Sequence, residues 1–223
     1  MRAGDRVLDV GCGSGEAVRA LARLVGPGGR VVGVDSSVAA IAEADRRSDG
    51  HGPVVEYRVG DPHDLPFADG VFDGCRAEGL LQQLDDPGRA LRELIRVGRR
   101  GAQVVVAEVD WATLSVEAAD ERITGRLREF LGGGCGEPVR RLAELFRRCG
   151  LNEVTITPTV LRATEFRPTA DPLGLRDALE RAQTAGAVSA VEAATWLDEV
   201  EWASRRGRFA VSLVRVRVAG RRR

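Results

Sequence analysis

Residues 7–15 read V-L-D-V-G-C-G-S-G, and residues 31–35 read V-V-G-V-D, ending at Asp35. An apolar run stops at a glycine-dense loop, a helix-like stretch follows, and a second apolar run ends in a carboxylate. The pattern predicts a strand, a tight turn, a helix and a second strand. Glycines let the backbone turn through positive φ and approach a ligand closely. An acid at the tip of the second strand is placed to accept hydrogen bonds from ribose hydroxyls. The spacing departs from a dinucleotide fingerprint, G-x-G-x-x-G, because Glu16 stands where its third glycine belongs. The loop instead runs G-x-G-x-G through Gly11, Gly13 and Gly15, with Asp9 two residues ahead. A carboxylate there repels a pyrophosphate and suits a ligand with a cationic or amine-bearing end.

Asp9, Gly11, Gly13, Gly15 and Asp35 together resemble the S-adenosylmethionine-binding motif of class I methyltransferases. The resemblance implies S-adenosylmethionine as cofactor and S-adenosylhomocysteine as product. It implies an α/β, Rossmann-like fold: a seven-stranded mixed sheet with the last strand antiparallel, helices on both faces and a partly helical cap. It also implies cofactor contacts from Asp9, Gly11, Cys12, Gly13, Gly15, Asp35 and Ser36. Cys12 reads as a small ligand-facing side chain, since its neighbours supply no base to activate a thiol.

Ligands of open α/β sheets sit outside the carboxyl ends of the strands, so each expected tip bears on the site. The third ends at Gly60-Asp61-Pro62-His63, followed by Asp64-Leu65-Pro66-Phe67. This is similar to the family's G-D-x-x-x-L-P-F segment, which implies that Asp61 accepts the adenine amino group, flanked by Gly60 and Pro62. The fourth runs F-D-G-C-R-A-E-G-L-L-Q-Q over 72–83. It resembles the R-x-E-R-x-L-Q-H segment of the small-molecule, ubiquinone-biosynthesis-like branch, keeping Arg76, Glu78, Leu81 and Gln82. Arg76 joins the cofactor contacts and Gln82 the substrate contacts. Gly79 replaces an Arg, and Gln83 replaces a His that would be the natural proton acceptor; glutamine is no base near neutral pH. Glu78 and Gln83 are therefore the candidate catalytic residues. Glu78 reads equally as a structural partner of Arg76 or of a backbone amide. The fifth ends A-E-V-D-W, resembling an E-P-D-W segment of the branch, which puts Asp110 and Trp111 on the substrate side. Trp196 and Trp202 read as core or cap packing.

Composition narrows the class. The chain has 223 residues, 43% of them hydrophobic, which supports one domain with a full core. The expected core covers 1–111 and 150–223, with helical cap segments at 112–149 and 165–206. No run of eighteen apolar residues is present, so no membrane span is expected. The first strand begins almost at once, so no leader is expected and a cytoplasmic location follows. All 33 basic residues are Arg, balanced by 33 acidic ones to a formal net charge of zero. That balance speaks against a nucleic-acid-binding surface. Cys12, Cys75, Cys135 and Cys149 form no C-x-x-C pair, and His51 and His63 add no ligand spacing, so no metal site is expected.

Expected strands lie at 6–10, 30–34, 54–59, 71–75 and 103–108, with helices at 15–25, 36–48 and 86–97. Further helices are expected at 117–131, 137–149, 172–185 and 189–205, and strands at 152–161 and 209–218. Strand–helix alternation argues for a parallel sheet. Residues 163–206 match nothing specific and read as part of a substrate lid.

The implied activity is methyl transfer to a small-molecule, specialised-metabolite acceptor by direct in-line displacement. The sulfonium methyl is already electrophilic, so the protein must chiefly align the nucleophile with it. An alternative is an enzyme that binds S-adenosylmethionine but performs an intramolecular cyclisation or rearrangement, an option raised by Gln83. A non-catalytic binding module is opposed by the intact set of Asp9, Asp35 and Asp61.

Overall fold

Val7, Leu8 and Val10 are all buried in β1 (Arg6–Val10), as the central strand of a two-sided parallel sheet requires. β1 pairs in parallel with β2 (Arg30–Asp35) on one side and with β4 (Phe72–Glu78) on the other. β3 (Val55–Val59) pairs in parallel with β2, and β5 (Gly98–Val116) with β4. With β6 (Asn152–Ala163) and β7 (Val211–Arg221) the sheet has seven strands in the order β3-β2-β1-β4-β5-β7-β6. The computed structural model describes residues 1–48, 55–117, 119–133, 139–166, 171 and 173–223. His51, Val54, Cys135 and the first residues of the helices expected at 137 and 172 lie outside them.

β7 runs against its neighbour β5. Gly101 N–H donates to Arg222 O at 2.9 Å and Arg222 N–H to Ala102 O at 3.0 Å, while Glu117 N–H donates to Ala210 O at 2.8 Å. As numbers rise along β5 they fall along β7, so the expected mixed sheet with an antiparallel last strand is present. Helices flank the sheet. α1 (Glu16–Val25) ends at Gly26, which takes φ 66°, and buries Val18, Leu21, Ala22 and Val25 with Val7 and Val31. Gly33 lets this packing close: a Cβ there would stand 2.9 Å from Cys12 Sγ, Tyr57 Cδ1 and Val18 Cγ2. α2 (Val38–Arg46) is capped by Ser37, whose Oγ accepts from Ala40 N–H at 3.2 Å. α3 (Pro87–Val97) starts at Asp86, whose carboxylate accepts from Arg89 N–H at 2.8 Å, with Pro87 at its first position.

Two strands are longer than expected. β4 runs on to Glu78 because Arg76 and Glu78 alternate with buried Cys75 and Ala77. β5 extends at both ends past the apolar 103–108, and charged Arg99, Arg100, Glu108 and Asp110 hide its length in the sequence. Thr113 keeps it in the ladder: its Oγ1 accepts from Val214 N–H at 2.8 Å and donates to Asp110 O at 2.6 Å.

Contacts divide the chain into two units. The first holds Met1–Glu108, Cys135–Thr157 and Arg217–Arg223; the second holds Val109–Gly134 and Pro158–Val216. The helical segment expected at 112–149 is thus split. α4 (Glu121–Gly132) belongs to the second unit, and α5 (Leu142–Arg148) to the first. The second unit has its own core, built by α4, α6 (Leu175–Thr184) and α7 (Ala190–Arg205) with Trp111, Leu114, Phe166, Phe209 and Leu213. Trp196, fully buried, sits in this core, and its indole N–H donates to Thr124 Oγ1 at 3.0 Å. Thr124 in turn donates to Asp120 O at 3.0 Å, so the buried polar atoms are paired. Ser189 and Glu192 form a reciprocal capping box at the start of α7. Among the described residues no helix is long and apolar enough to cross a membrane.

Trp196→Ala removes the largest buried side chain and the indole donor to Thr124 Oγ1. The variant is expected to lose about 3–5 kcal/mol in urea unfolding followed by far-ultraviolet circular dichroism.

Candidate active site

Asp9 is the buried acid at the end of β1, only 2% exposed. Its register partner on β4 is Arg76, whose guanidinium lies 3.5 Å from Asp9 Oδ1 and also pairs with Glu78. Burial pushes the Asp9 carboxyl up to about 6; Arg76 works against this, and Glu78 and Asp35 add to it. The result is a sealed carboxyl with one cation beside it, facing the glycine loop.

The loop is stitched to the tip of β2. Gly11 and Cys12 N–H groups donate to Val34 O at 2.8 and 3.1 Å. Gly13 N–H donates to Asp35 Oδ2 at 2.9 Å, and Ser37 N–H to Asp35 Oδ1 at 2.9 Å. Two backbone donors orient the Asp35 carboxylate and leave it further acceptor sites for a pair of hydroxyls. Gly15 takes φ 77°, and a Cβ there would fall 2.4 Å from the Tyr57 hydroxyl, so no other residue fits the start of α1. Ser36 is exposed between Asp35 and the α2 cap. Cys12 is buried, and burial with Asp9 and Asp35 pushes its thiol up to about 12, which makes it an inert side chain of the loop.

β3 leads into a second cradle. Gly60 N–H donates to Asp35 O at 3.0 Å, tying the third tip to the second. Asp61 is exposed and Pro62 buried; Asp61 Oδ1 accepts from His63 N–H at 2.8 Å and meets His63 Nδ1 at 2.9 Å. The His63 amide holds the Asp61 carboxyl below its ordinary range. α3 clamps this segment from behind. Arg96 donates to Phe67 O at 2.8 Å and Leu65 O at 3.0 Å, and Glu93 accepts from Leu65 N–H at 2.8 Å.

Past β4, Gly79 N–H donates to Ala107 O at 2.9 Å, and Leu81–Gln83 form a short 3-10 turn. Leu80 packs over the glycine loop, since a Cβ on Gly11 would come within 3.2 Å of it. Glu78 is exposed and held by Arg76. Gln82 is half-buried, and the Gln83 side-chain amide turns back to donate to Gly79 O. The first unit thus brings together Asp9, the glycine loop, Asp35, Ser36, Gly60, Asp61, Pro62, Arg76, Glu78, Gln82 and Gln83. Asp110 and Trp111 fall in the second unit. Trp111, expected on the substrate side, is 6% exposed and packed into that unit's core with Leu114 and Val116. An aromatic just past an apolar run is equally a core signal, and here the continuing strand carries it inward.

One residue of the site escaped the sequence reading. Glu108 closes the apolar run of β5, 1% exposed, and its Oε1 accepts from Leu81 N–H at 2.7 Å. The same signal that marked Asp9 and Asp35, an acid closing an apolar run (V-V-V-A-E), marks it too.

Residues 8–106 match the methyltransferase domain family. A 2-phytyl-1,4-naphtoquinone methyltransferase of Thermosynechococcus vestitus is 40% identical over 105 residues, 47% of this chain and 46% of that protein. An uncharacterized 37.1 kDa protein in transposon TN4556 of Streptomyces fradiae is 35% identical over 202 residues, 89% of this chain and 58% of that protein. The chain therefore spans about half of the length of these relatives. The YcgJ protein of Bacillus subtilis superimposes with a TM-score of 0.66 at 19% identity, covering 100% of this chain and 93% of that one, and shares the fold. The strand order, the glycine loop and the acids at its strand tips accord with that family match, and residues 8–106 form a methyltransferase domain.

Proposed function

We propose that this chain transfers the methyl group of S-adenosylmethionine to a small specialised metabolite whose attacking atom is already nucleophilic near neutral pH. The observation that carries this reading is the set of three acids, Asp9, Asp35 and Asp61, on the tips of three neighbouring strands around a loop closed to any side chain at Gly15. In this reading Asp35 accepts the ribose hydroxyls and Asp61 the adenine amino group. Asp9, with Arg76 beside it, faces the amine-bearing methionine end, while Gly11, Cys12 and Gly13 line the floor. Bound there, the cofactor supplies an electrophilic methyl on a sulfonium.

The chain's own contribution at the reacting end is alignment. The Gln83 amide is committed to Gly79 O, and Glu78 is committed to Arg76, so the turn offers no uncommitted base. An acceptor already ionised near neutral pH, such as an acidic phenolate or a thiolate, or an amine with a free lone pair, needs none. Likeness to the naphthoquinone methyltransferase extends over 47% of the chain, which supports a shared way of binding the cofactor and an acceptor of its own. Incubation with methyl-labelled cofactor and a panel of reduced naphthoquinones, acidic phenols, thiols and amines tests the proposal by mass spectrometry. A labelled product is expected. A rearranged product without label means cyclisation instead, and tight S-adenosylhomocysteine binding with no turnover means a binding module.

Asp35→Ala is expected to weaken S-adenosylhomocysteine binding by about 1–3 kcal/mol in calorimetry, because buried ribose hydroxyls lose their acceptor. Asp9 generates a pH dependence of definite sign. Its carboxyl is raised to about 6 in the free protein, so lowering the pH through 6 neutralises it. Affinity for the cationic ligand should then fall, by up to about tenfold per pH unit, and Asp9→Asn should flatten the profile.

A further inference from the structure

Glu108 is used by no step above, yet it is the most buried carboxyl at the strand tips. Its Oε1 accepts from Leu81 N–H at 2.7 Å, and the N–H groups of Leu80 and Gln82 also face the carboxylate. Its Oε2 is sealed from solvent with no partner among the described residues. Three consecutive amides of one turn thus converge on a single carboxylate from the neighbouring strand. That turn lies between the glycine loop and the Gln82–Gln83 pair. Leu80, its first residue, lies over Gly11 of the cofactor loop, and Gln82 and Gln83 follow it directly.

We propose that Glu108 is a positioning residue: its ionised carboxylate gathers the Leu80, Leu81 and Gln82 amides, and its protonation releases the turn from the glycine loop. The inference rests on the reading of that loop as the cofactor site. The chemistry of the carboxyl decides the direction. The ionised form offers acceptors to all three amides; the protonated form spends one oxygen as a hydroxyl and gives up part of that capacity. Burial pushes the carboxyl up to about 7, against the pull of the three amides, and the like charge of Glu78 on β4 pushes it further. The turn itself carries only Leu80, Leu81, Gln82 and Gln83, so it supplies no counter-charge. Arg76 on β4 is engaged by Glu78 and Asp9. Asp9 on β1 is the other neighbouring acid that titrates, about one pH unit lower. The latch therefore opens as the pH falls from 8 to 6.

Backbone amide nuclear magnetic resonance of the whole chain tests this without a substrate. In an Asp9→Asn background, which removes the overlapping titration, the Leu80, Leu81 and Gln82 amide shifts should share one midpoint near pH 7. Protection of the Leu81 amide from hydrogen exchange, corrected for intrinsic rate, should fall at least about tenfold between pH 8 and 6. Glu108→Gln keeps a carbonyl acceptor and should hold the protection at both pH values, with no titration. Glu108→Ala should lose it at both. Amides that do not titrate, or that still titrate in Glu108→Gln, overturn the proposal. S-adenosylhomocysteine affinity of the wild type, measured alongside, separates this failure from that of the cofactor reading. If the ligand does not bind while the amides titrate as expected, the site reading falls and the Glu108 latch stands.

Discussion

Parallel pairing of β2, β1, β4 and β5 brings the carboxyl ends of these strands out on the same side of the sheet, and every functional group of the first unit follows from that. Strand register places Asp9 opposite Arg76 and sends Asp35 out beside the glycine loop. The loop cannot carry side chains where the backbone must turn back, and at Gly15 the Tyr57 ring fills the space a Cβ would take. The helix that follows thereby starts directly after the loop, at Glu16.

Acids at strand tips answer two different needs. Asp35 is tied down by backbone amides of Gly13 and Ser37 and stands partly exposed, which suits a carboxylate that must accept further bonds. Asp9 and Glu108 are sealed, and burial, aided by the like charge of Glu78, lifts both toward neutrality. One has a guanidinium for relief, the other only amides. A buried acid with incomplete compensation weakens the folded state as it ionises, since the native chain holds its proton more tightly than the unfolded chain does. Stability from both groups is full near pH 4 and declines as the pH rises through about 6 and 7. Such a cost is usual at functional sites, where charge is placed for a ligand rather than for the fold.

The second unit follows a different rule. Its helices wrap a core of two fully paired polar atoms, the Trp196 indole and the Thr124 hydroxyl, among leucines, alanines and phenylalanines. Arg176 enters it partly buried, its guanidinium 4.6 Å from the Phe166 ring and paired with Glu201.

Local signals carried much of this in the sequence. The glycine loop, Asp35, the Asp86-Pro87 start of α3 and the alternation of strands and helices are short-range features, set by backbone sterics and caps, and each stands where the residues placed it. The antiparallel β7 came through likeness to a family rather than through spacing, and the strand order only from the structure, because nothing local encodes which strand lies beside which. Tertiary structure alone decided the length of β5, whose charged residues interrupt the apolar pattern yet stay in the ladder, and the burial of Trp111. It alone assigned Arg76 to both Asp9 and Glu78, turned Gln83 onto Gly79, and hung the 80–82 turn on Glu108. The Arg76–Asp9 and Glu108–Leu81 contacts join residues far apart in the chain, across strands. Their energies depend on register and on exclusion of water, which arise only when the strands have come together.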